Sequence, residues 1–378
     1  MDARCDLDVV LAANPEAGFG HLFATLLFGL DLARKFANGR LLLADNFWDG
    51  WRHGSYPWAW ELLRPAAVAA SSEPAPAHVR VVDEPVTFNH ILANWTCNTR
   101  FNSVMLAHQT GCYDENGQHA QYCHCVLPGA LDRGSLLLPS AIVSNGARRG
   151  VGVGPVTALW HLRTGDVTVP LLNASFQRIK AMLDAGFPQR RVVHRAMTER
   201  GAGALHRHFP FLRESGVRAV LPSQQQQQQQ QQHPHQHQRH GASGAASAGS
   251  NATARNTTSE QHALSLMREA HVLISTGSSF SLTAAILNPP GQQIHLCFPP
   301  KFTVTAETAS GSAAEVLAMR RSEMYRTQFL RKNTIPLDVQ GRPVVGGYAI
   351  KMRRMMEAMD RGVVADEATA MMAFESWL

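Results

Sequence analysis

The chain has 378 residues, is 45% hydrophobic and 17% charged, and carries a net charge of +6 with histidine neutral. That length and hydrophobic content suffice for two domains with cores of their own. Its arginines are scattered rather than clustered, which suits anionic ligands and excludes the concentrated basic footprint of a DNA- or RNA-binding protein. No apolar run is long enough to span a bilayer, and Met1-Asp2-Ala3-Arg4-Cys5-Asp6 is not a signal peptide. The expectation is a cytosolic protein, or one whose N-terminal anchor lies outside this sequence.

Asp8–Ala12 reads as a buried strand, and His21–Phe36 has helical spacing, with Leu22, Leu26 and Leu30 beside Phe23 and Leu27. Gly39 fits the helix's C-terminal cap. Leu41–Ala44 is the next strand, ending at Asp45. Between the first strand and the helix lies Asn14-Pro15-Glu16-Ala17-Gly18-Phe19-Gly20. A Gly-x-Gly entering a helix offers free N–H groups and the positive end of the dipole to an anion. The third glycine of a dinucleotide fingerprint is absent.

Phe47–Gly54 follows, then Tyr56, Trp58 and Trp60; four of the seven tryptophans fall in this stretch. Two readings stay open: aromatic faces that stack on sugar rings, with Asp49, Arg52 and His53 bonding hydroxyls, or a hydrophobic patch beneath a loop. Residues 66–150 read as irregular structure. Cys97, Cys112, Cys123 and Cys125 crowd into a polar part of that segment near His119 and His124. Their spacings match no Cys-x2-Cys zinc pattern, so disulfides in an oxidising compartment are expected.

Gly152 and Gly154 precede the apolar run Pro155–Trp160, a buried strand by its length and composition. It delivers His161-Leu162-Arg163-Thr164-Gly165-Asp166 to its carboxyl end, the edge at which ligands bind in open α/β sheets. A planar guanidinium there grips a phosphate with two prongs. The alternative is a surface Arg163–Asp166 ion pair.

The rest alternates regularly. Asn173 is expected to cap a helix with Phe176, Ile179 and Leu183 inward and Gly186 beyond its end. Arg191–Ala196 is a strand leading to Met197-Thr198-Glu199-Arg200, Gly203–Phe209 a helix, and Val217–Leu221 a strand. Gln224–Gln232 is uninterrupted glutamine, followed by His-rich and Gly/Ala/Ser tracts to about Ser259. Such composition cannot bury enough apolar surface to fold, so 223–259 reads as a disordered insert within a domain. Glu260–Ala270 is a helix with Ala263, Leu264 and Met267 apolar. Val272–Ser275 is a strand, Thr276–Ser281 a turn into the helix Leu282–Leu287, and Ile294–Cys297 the last strand. Hydroxyls and N–H groups at that helix start suit a pyrophosphate, although serines there often only cap. Tyr348–Met359 looks helical.

Three stretches together are similar to the fucosyltransferase-like superfamily. His161-x-Arg163-x-Gly165-Asp166 resembles its His-x-Arg-x-Gly-Asp motif, and the Gly18/Gly20 turn resembles its glycine-rich first loop, with His21 where many members carry Asn, Cys or Gln. Ser278-Ser279-Phe280-Ser281 and the helix after it resemble the most specific of its motifs, Ser-x-Ser-Phe-Ser-x-x-Ala-x-x-Leu. The Trp-rich stretch looks like the one that follows the same strand in the core-fucosylating enzymes. The likeness covers most of 8–299.

The resemblance implies an α/β fold of two Rossmann-like domains facing a cleft, the glycosyltransferase B arrangement. Residues 1–150 would form the acceptor side, 151–302 the nucleotide-sugar side, and 303–378 a partly helical extension. It implies GDP-fucose as donor substrate, inversion at the sugar, no metal and no other cofactor, with a glycan or glycoprotein as acceptor and the Golgi or another secretory lumen as location. Arg163 and Asp166 would serve the departing diphosphate, while Gly18, Gly20, His21, His161, Ser278, Ser279 and Phe280 would line the nucleotide sugar. Some relatives carry a Glu soon after the His-x-Arg motif; Val167–Ser175 contains no acid. Asp49, Asp45 and His21 are the candidates for the missing base. A nucleotide-sugar-binding pseudoenzyme, or a scaffold or metal binder using the His/Gln insert, are the rival classes.

Overall fold

The computed structural model describes residues 8–11, 18–33, 40–44, 47–50, 54–56, 58–59, 69–71, 79–82, 103–106, 154–164, 171–198, 200–220, 260–276, 278–288, 291–298, 333–343 and 346–365. The cysteine-rich segment, the Gln/His insert, Gly165, Asp166 and Glu199 lie outside them. The fold is α/β, built on two parallel sheets.

The first sheet contains β1 (Asp8–Leu11), β2 (Arg40–Ala44), β5 (Ala69–Ser71), β6 (Val79–Val82) and β7 (Ser103–Leu106), in the order β5-β2-β1-β7-β6. All of its pairings are parallel. A two-stranded antiparallel ribbon, β3 (Asp49–Gly50) with β4 (Gly54–Ser55), stands apart. Helix α1 (Phe19–Ala33) links β1 to β2. It lies close on the sheet because Gly29 has no side chain: a Cβ there would meet Leu41 Cδ1 at 2.9 Å and Leu11 Cδ1 at 3.0 Å. The spacing of apolar residues places this helix correctly but starts it two residues late. Leu22 N–H already bonds Gly18 O at 3.2 Å, so Gly18 is the flanking residue and Gly20 lies inside the first turn.

The second sheet contains β8 (Val156–His161), β9 (Val192–Met197), β10 (Arg218–Ala219), β11 (Val272–Ser275), β12 (Ile294–Cys297) and β13 (Thr334–Pro336). Their order, β10-β9-β8-β11-β12-β13, is the doubly wound arrangement in which the chain starts at the centre, builds one edge, then returns to build the other. Every pairing is parallel. Such strands are covered on both faces, which explains why β8, β11 and β12 read as continuous apolar runs rather than alternating ones.

The helices are α2 (Asn173–Gly186), α3 (Gly201–His208), α4 (Phe211–Glu214), α5 (residues 260–269), α6 (Ser279–Ile286) and α7 (Gly346–Asp360). Val156, Ala158, Trp160 and Leu162 alternate onto one face of β8 and pack with Phe176, Ile179 and Leu183 of α2 and with Met352, Met355, Met356 and Met359 of α7. Trp160 and Phe176, both fully buried, meet at 4.7 Å between ring centroids.

Three sequence expectations change. Asn173 does not cap α2; Leu172 occupies that position without a side-chain bond, and Asn173 instead accepts a hydrogen bond from Gln177 one turn on. Ile294–Cys297 is not the last strand, because Thr334–Pro336 pairs beside it. Its three residues are too few for a periodic signal to stand out. Helix α6 begins at Ser279 rather than Leu282, so the serines lie in its first turn and not in a preceding loop.

Candidate functional site

In the second sheet the connections leave β8 in one direction and β11 in the other. The carboxyl ends of these adjacent strands form the switch point where open α/β sheets bind ligands. His161, the last residue of β8, is flanked in register by Met197 of β9 and Ser275 of β11. The strand ladder continues one step past it, with Leu162 N–H donating to Met197 O at 3.0 Å. Side-chain hydroxyls then take over. Arg163 N–H donates to Thr276 Oγ1 at 3.1 Å, and the buried hydroxyls of Thr164 and Thr198 bond to each other. The turns after β8, β9 and β11 are thus stitched together by hydroxyls, which hold the Arg163 backbone while its side chain remains half-buried.

Ser278 opens α6. Its backbone has the extended geometry of a capping residue (φ −86°, ψ 130°), and its carbonyl accepts from Leu282 N–H at 3.0 Å. Its hydroxyl makes no capping hydrogen bond. Ser281, by contrast, is spent locally, donating to Ser278 O at 2.9 Å.

Aromatic rings join this edge to the first sheet. The His161 and Phe280 ring centroids are 6.3 Å apart, and Phe280 meets Phe19 edge-on at 5.9 Å. Phe19 is the first residue of α1, between Gly18 and Gly20. The three stretches singled out in the sequence, far apart along the chain, therefore meet through one line of rings. Around Phe19 lie Trp48 at 5.5 Å, Tyr56 at 5.5 Å and Trp58 at 4.7 Å.

That cluster settles part of the reading of the tryptophan-rich stretch. Trp48, Tyr56 and Trp58 are buried, at 1%, 1% and 9% exposure, and serve as the packing under the α1 start rather than as open platforms for a sugar. The Trp48 and Trp58 indole N–H groups have no hydrogen-bond partner among the described residues. Tyr56 hydrogen-bonds to the Phe19 backbone, and burial pushes its hydroxyl pKa up, with the Glu260 carboxylate adding to the rise.

Of the expected site residues, the structure brings together Gly18, Gly20, His161, Arg163, Ser278 and Phe280. Ser279 opens α6 and His21 lies in the first turn of α1, but the described residues do not include their side chains. Asp49 pairs with Ser55 in the separate ribbon, again without a described side chain. Asp166 lies outside the described residues. Sequence reasoning missed Thr164, Thr198, Thr276 and Phe19. A hydroxyl one to three residues beyond a buried strand is the signal that finds the threonines; nothing in the sequence singled out Phe19 from other helix-start aromatics.

No family model matches the sequence, and no curated protein matches it. Among solved structures, the fucosyltransferase NodZ from Bradyrhizobium is 13% identical with a TM-score of 0.39, over 75% of this chain and 94% of that one. NodZ alpha-1,6-fucosyltransferase co-crystallised with GDP is 15% identical with a TM-score of 0.39, over 75% of this chain and 93% of that one.

Proposed function

We propose that the chain is a glycosyltransferase of the glycosyltransferase B type that takes a nucleotide sugar at the switch-point edge, with GDP-fucose the donor and a glycan or glycoprotein the acceptor. The observation that carries this reading is the convergence of Arg163, the uncapped hydroxyl of Ser278 and the Gly18–Gly20 helix start along the line Phe19–Phe280–His161. Two helix starts and a guanidinium supply N–H groups, a hydroxyl and a fixed charge to one place. That donor set suits a diphosphate better than a neutral ligand. The specific donor comes from the resemblance of the three motifs to fucosyltransferases.

In this role Arg163 and the α6 start stabilise the negative charge that gathers on the diphosphate as the sugar leaves. The catalytic demand at such a site is mainly electrostatic, and preformed dipoles meet it without reorganising. Thr276 and Thr164 act one layer behind, fixing the backbone from which Arg163 projects. The test is thermal shift with GDP, UDP and CMP in the absence of added metal. GDP at about a hundred times its dissociation constant should add about 2.7 kcal/mol of stability. A response to UDP alone, or strict dependence on manganese, would reject the donor.

A further inference from the structure

The donor edge described so far lacks a group to accept a proton, and the sequence offered no acid after the His-x-Arg motif. Glu260 opens α5, the helix that runs into β11. Only Ala270 and His271 separate helix from strand, so α5 runs antiparallel to β11 along the sheet. Ten helical residues rise about 15 Å and four strand residues about 13 Å. The first residue of α5 is therefore level with the carboxyl ends of β11 and β8, where Thr276 and Arg163 lie. Ala263, Leu264 and Met267 anchor the helix through its buried face.

Glu260 also touches the other half of the site. Its charge acts on the phenol of Tyr56, which is bonded to the Phe19 backbone and in ring contact with Phe19. Glu260 is half-buried, and no hydrogen bond or ion pair engages it among the described residues. A carboxylate withdrawn from water without a partner costs stability, so such a group is seldom retained for the fold alone. We propose that Glu260 takes the proton from the acceptor hydroxyl, resting on the donor-site reading above. The acceptor oxygen bonds to the sugar's anomeric carbon as the bond from that carbon to the diphosphate oxygen breaks. The bonding pair leaves with the diphosphate, and the hydroxyl proton passes to the Glu260 carboxylate. Burial supports the role, since it raises the Glu260 pKa from 4.5 to about 7 and so makes it a stronger base than an exposed glutamate.

GDP release from GDP-fucose, with water or azide as nucleophile, tests this on the full chain. Water must lose a proton to attack productively; azide has none to lose. Glu260→Gln should slow hydrolysis by on the order of a hundredfold or more, keep azide-dependent release and GDP affinity, and abolish the wild-type rate rise through about pH 7. Glu260→Asp should recover part of the hydrolysis. A Glu260→Gln protein that hydrolyses at the wild-type rate overturns the proposal. So does one that loses azide-dependent release and GDP affinity together, which makes Glu260 a donor-binding group. Failure of the underlying reading looks different: a wild type without affinity for GDP, or one that binds GDP yet releases none in water or azide.

Discussion

The two sheets meet at two helix starts that are built differently. At α1 the first turn holds two glycines around one aromatic ring, and its neighbours are the buried rings of Trp48, Tyr56 and Trp58. At α6 the first turn is serine-rich, and the strand ends beside it are tied by the hydroxyls of Thr164, Thr198 and Thr276. The first sheet supplies shape and backbone N–H groups; the second supplies side-chain hydrogen bonds and the guanidinium. Chemistry should therefore respond to changes in the second sheet, and alignment of the two sheets to changes in the rings.

The strongest way to break that division is at Arg163. More charge gathers on the diphosphate in the transition state than in the bound donor, so a contact there is worth more to turnover than to affinity. Arg163→Lys keeps a charge and loses the planar fork. Turnover should fall by on the order of a hundredfold, about 2.7 kcal/mol, with GDP affinity less affected and the melting temperature held. Arg163→Ala should be worse in both activity and affinity. An Arg163 that serves only the fold predicts the reverse: lower melting temperature and intact GDP binding in Arg163→Ala.

The second sheet was also the more legible. Continuous apolar runs of strand length, each followed by a helix-period segment, are the plain signature of a parallel sheet, and β8, β11 and β12 fall where that signature puts them. The first sheet is less legible beyond β2, because Ala69–Ser71 and the other short strands carry no periodic signal. At the site, Arg163 and the serine turn were readable because their chemistry is local. Thr276 on the Arg163 backbone and Glu260 beside Tyr56 were not, since both contacts join segments distant in the chain. The aromatic stretch shows the opposite failure. Its composition suited a sugar platform, but burial of Trp48, Tyr56 and Trp58 is a property of the fold that composition does not reveal.

A smaller effect sharpens the role of the rings. Phe19 and Phe280 are the edge-on pair that spans the two helix starts. Such pairs contribute about 0.5–1.5 kcal/mol beyond burial. A double-mutant cycle with Phe19→Leu and Phe280→Leu, read by denaturant unfolding, should give a coupling in that range. It should also show GDP affinity lost in both single mutants, since either one loosens the register of the two starts. Additive stabilities, with GDP affinity unchanged, would mean that the sheets align without this contact.

The smallest effect separates the two halves by the sign of their response to pH. On the second sheet, His194 of β9 has one ring nitrogen accepting from Trp160 Nε1–H at 3.3 Å and the other bonded to Asp184 at 3.1 Å. Asp184 also accepts from Lys180 at 2.7 Å. Burial lowers the His194 pKa below 6.5 despite the Asp184 carboxylate, because a proton on the nitrogen that faces Trp160 would set two donors against each other. The unfolded chain thus binds this proton more readily, and the stability His194 contributes is lost as pH falls below 6.5. Asp184 does not confuse that window. Burial opposes its ionisation, but the bonds from Lys180 and His194 prevail and hold its pKa below 3.8. Glu260 acts in the opposite sense. Its folded pKa, about 7, lies above the ordinary 4.5, so folding favours its protonated form and stability is lost as pH rises through that interval. In the wild type the two slopes oppose each other between about pH 4.5 and 6.5. Glu260→Gln should remove one and expose a steeper fall in melting temperature on the acid side. His194→Gln should remove the other and leave a melting temperature that declines toward neutral pH. Identical pH profiles for the two mutants would show that neither group titrates as its surroundings require.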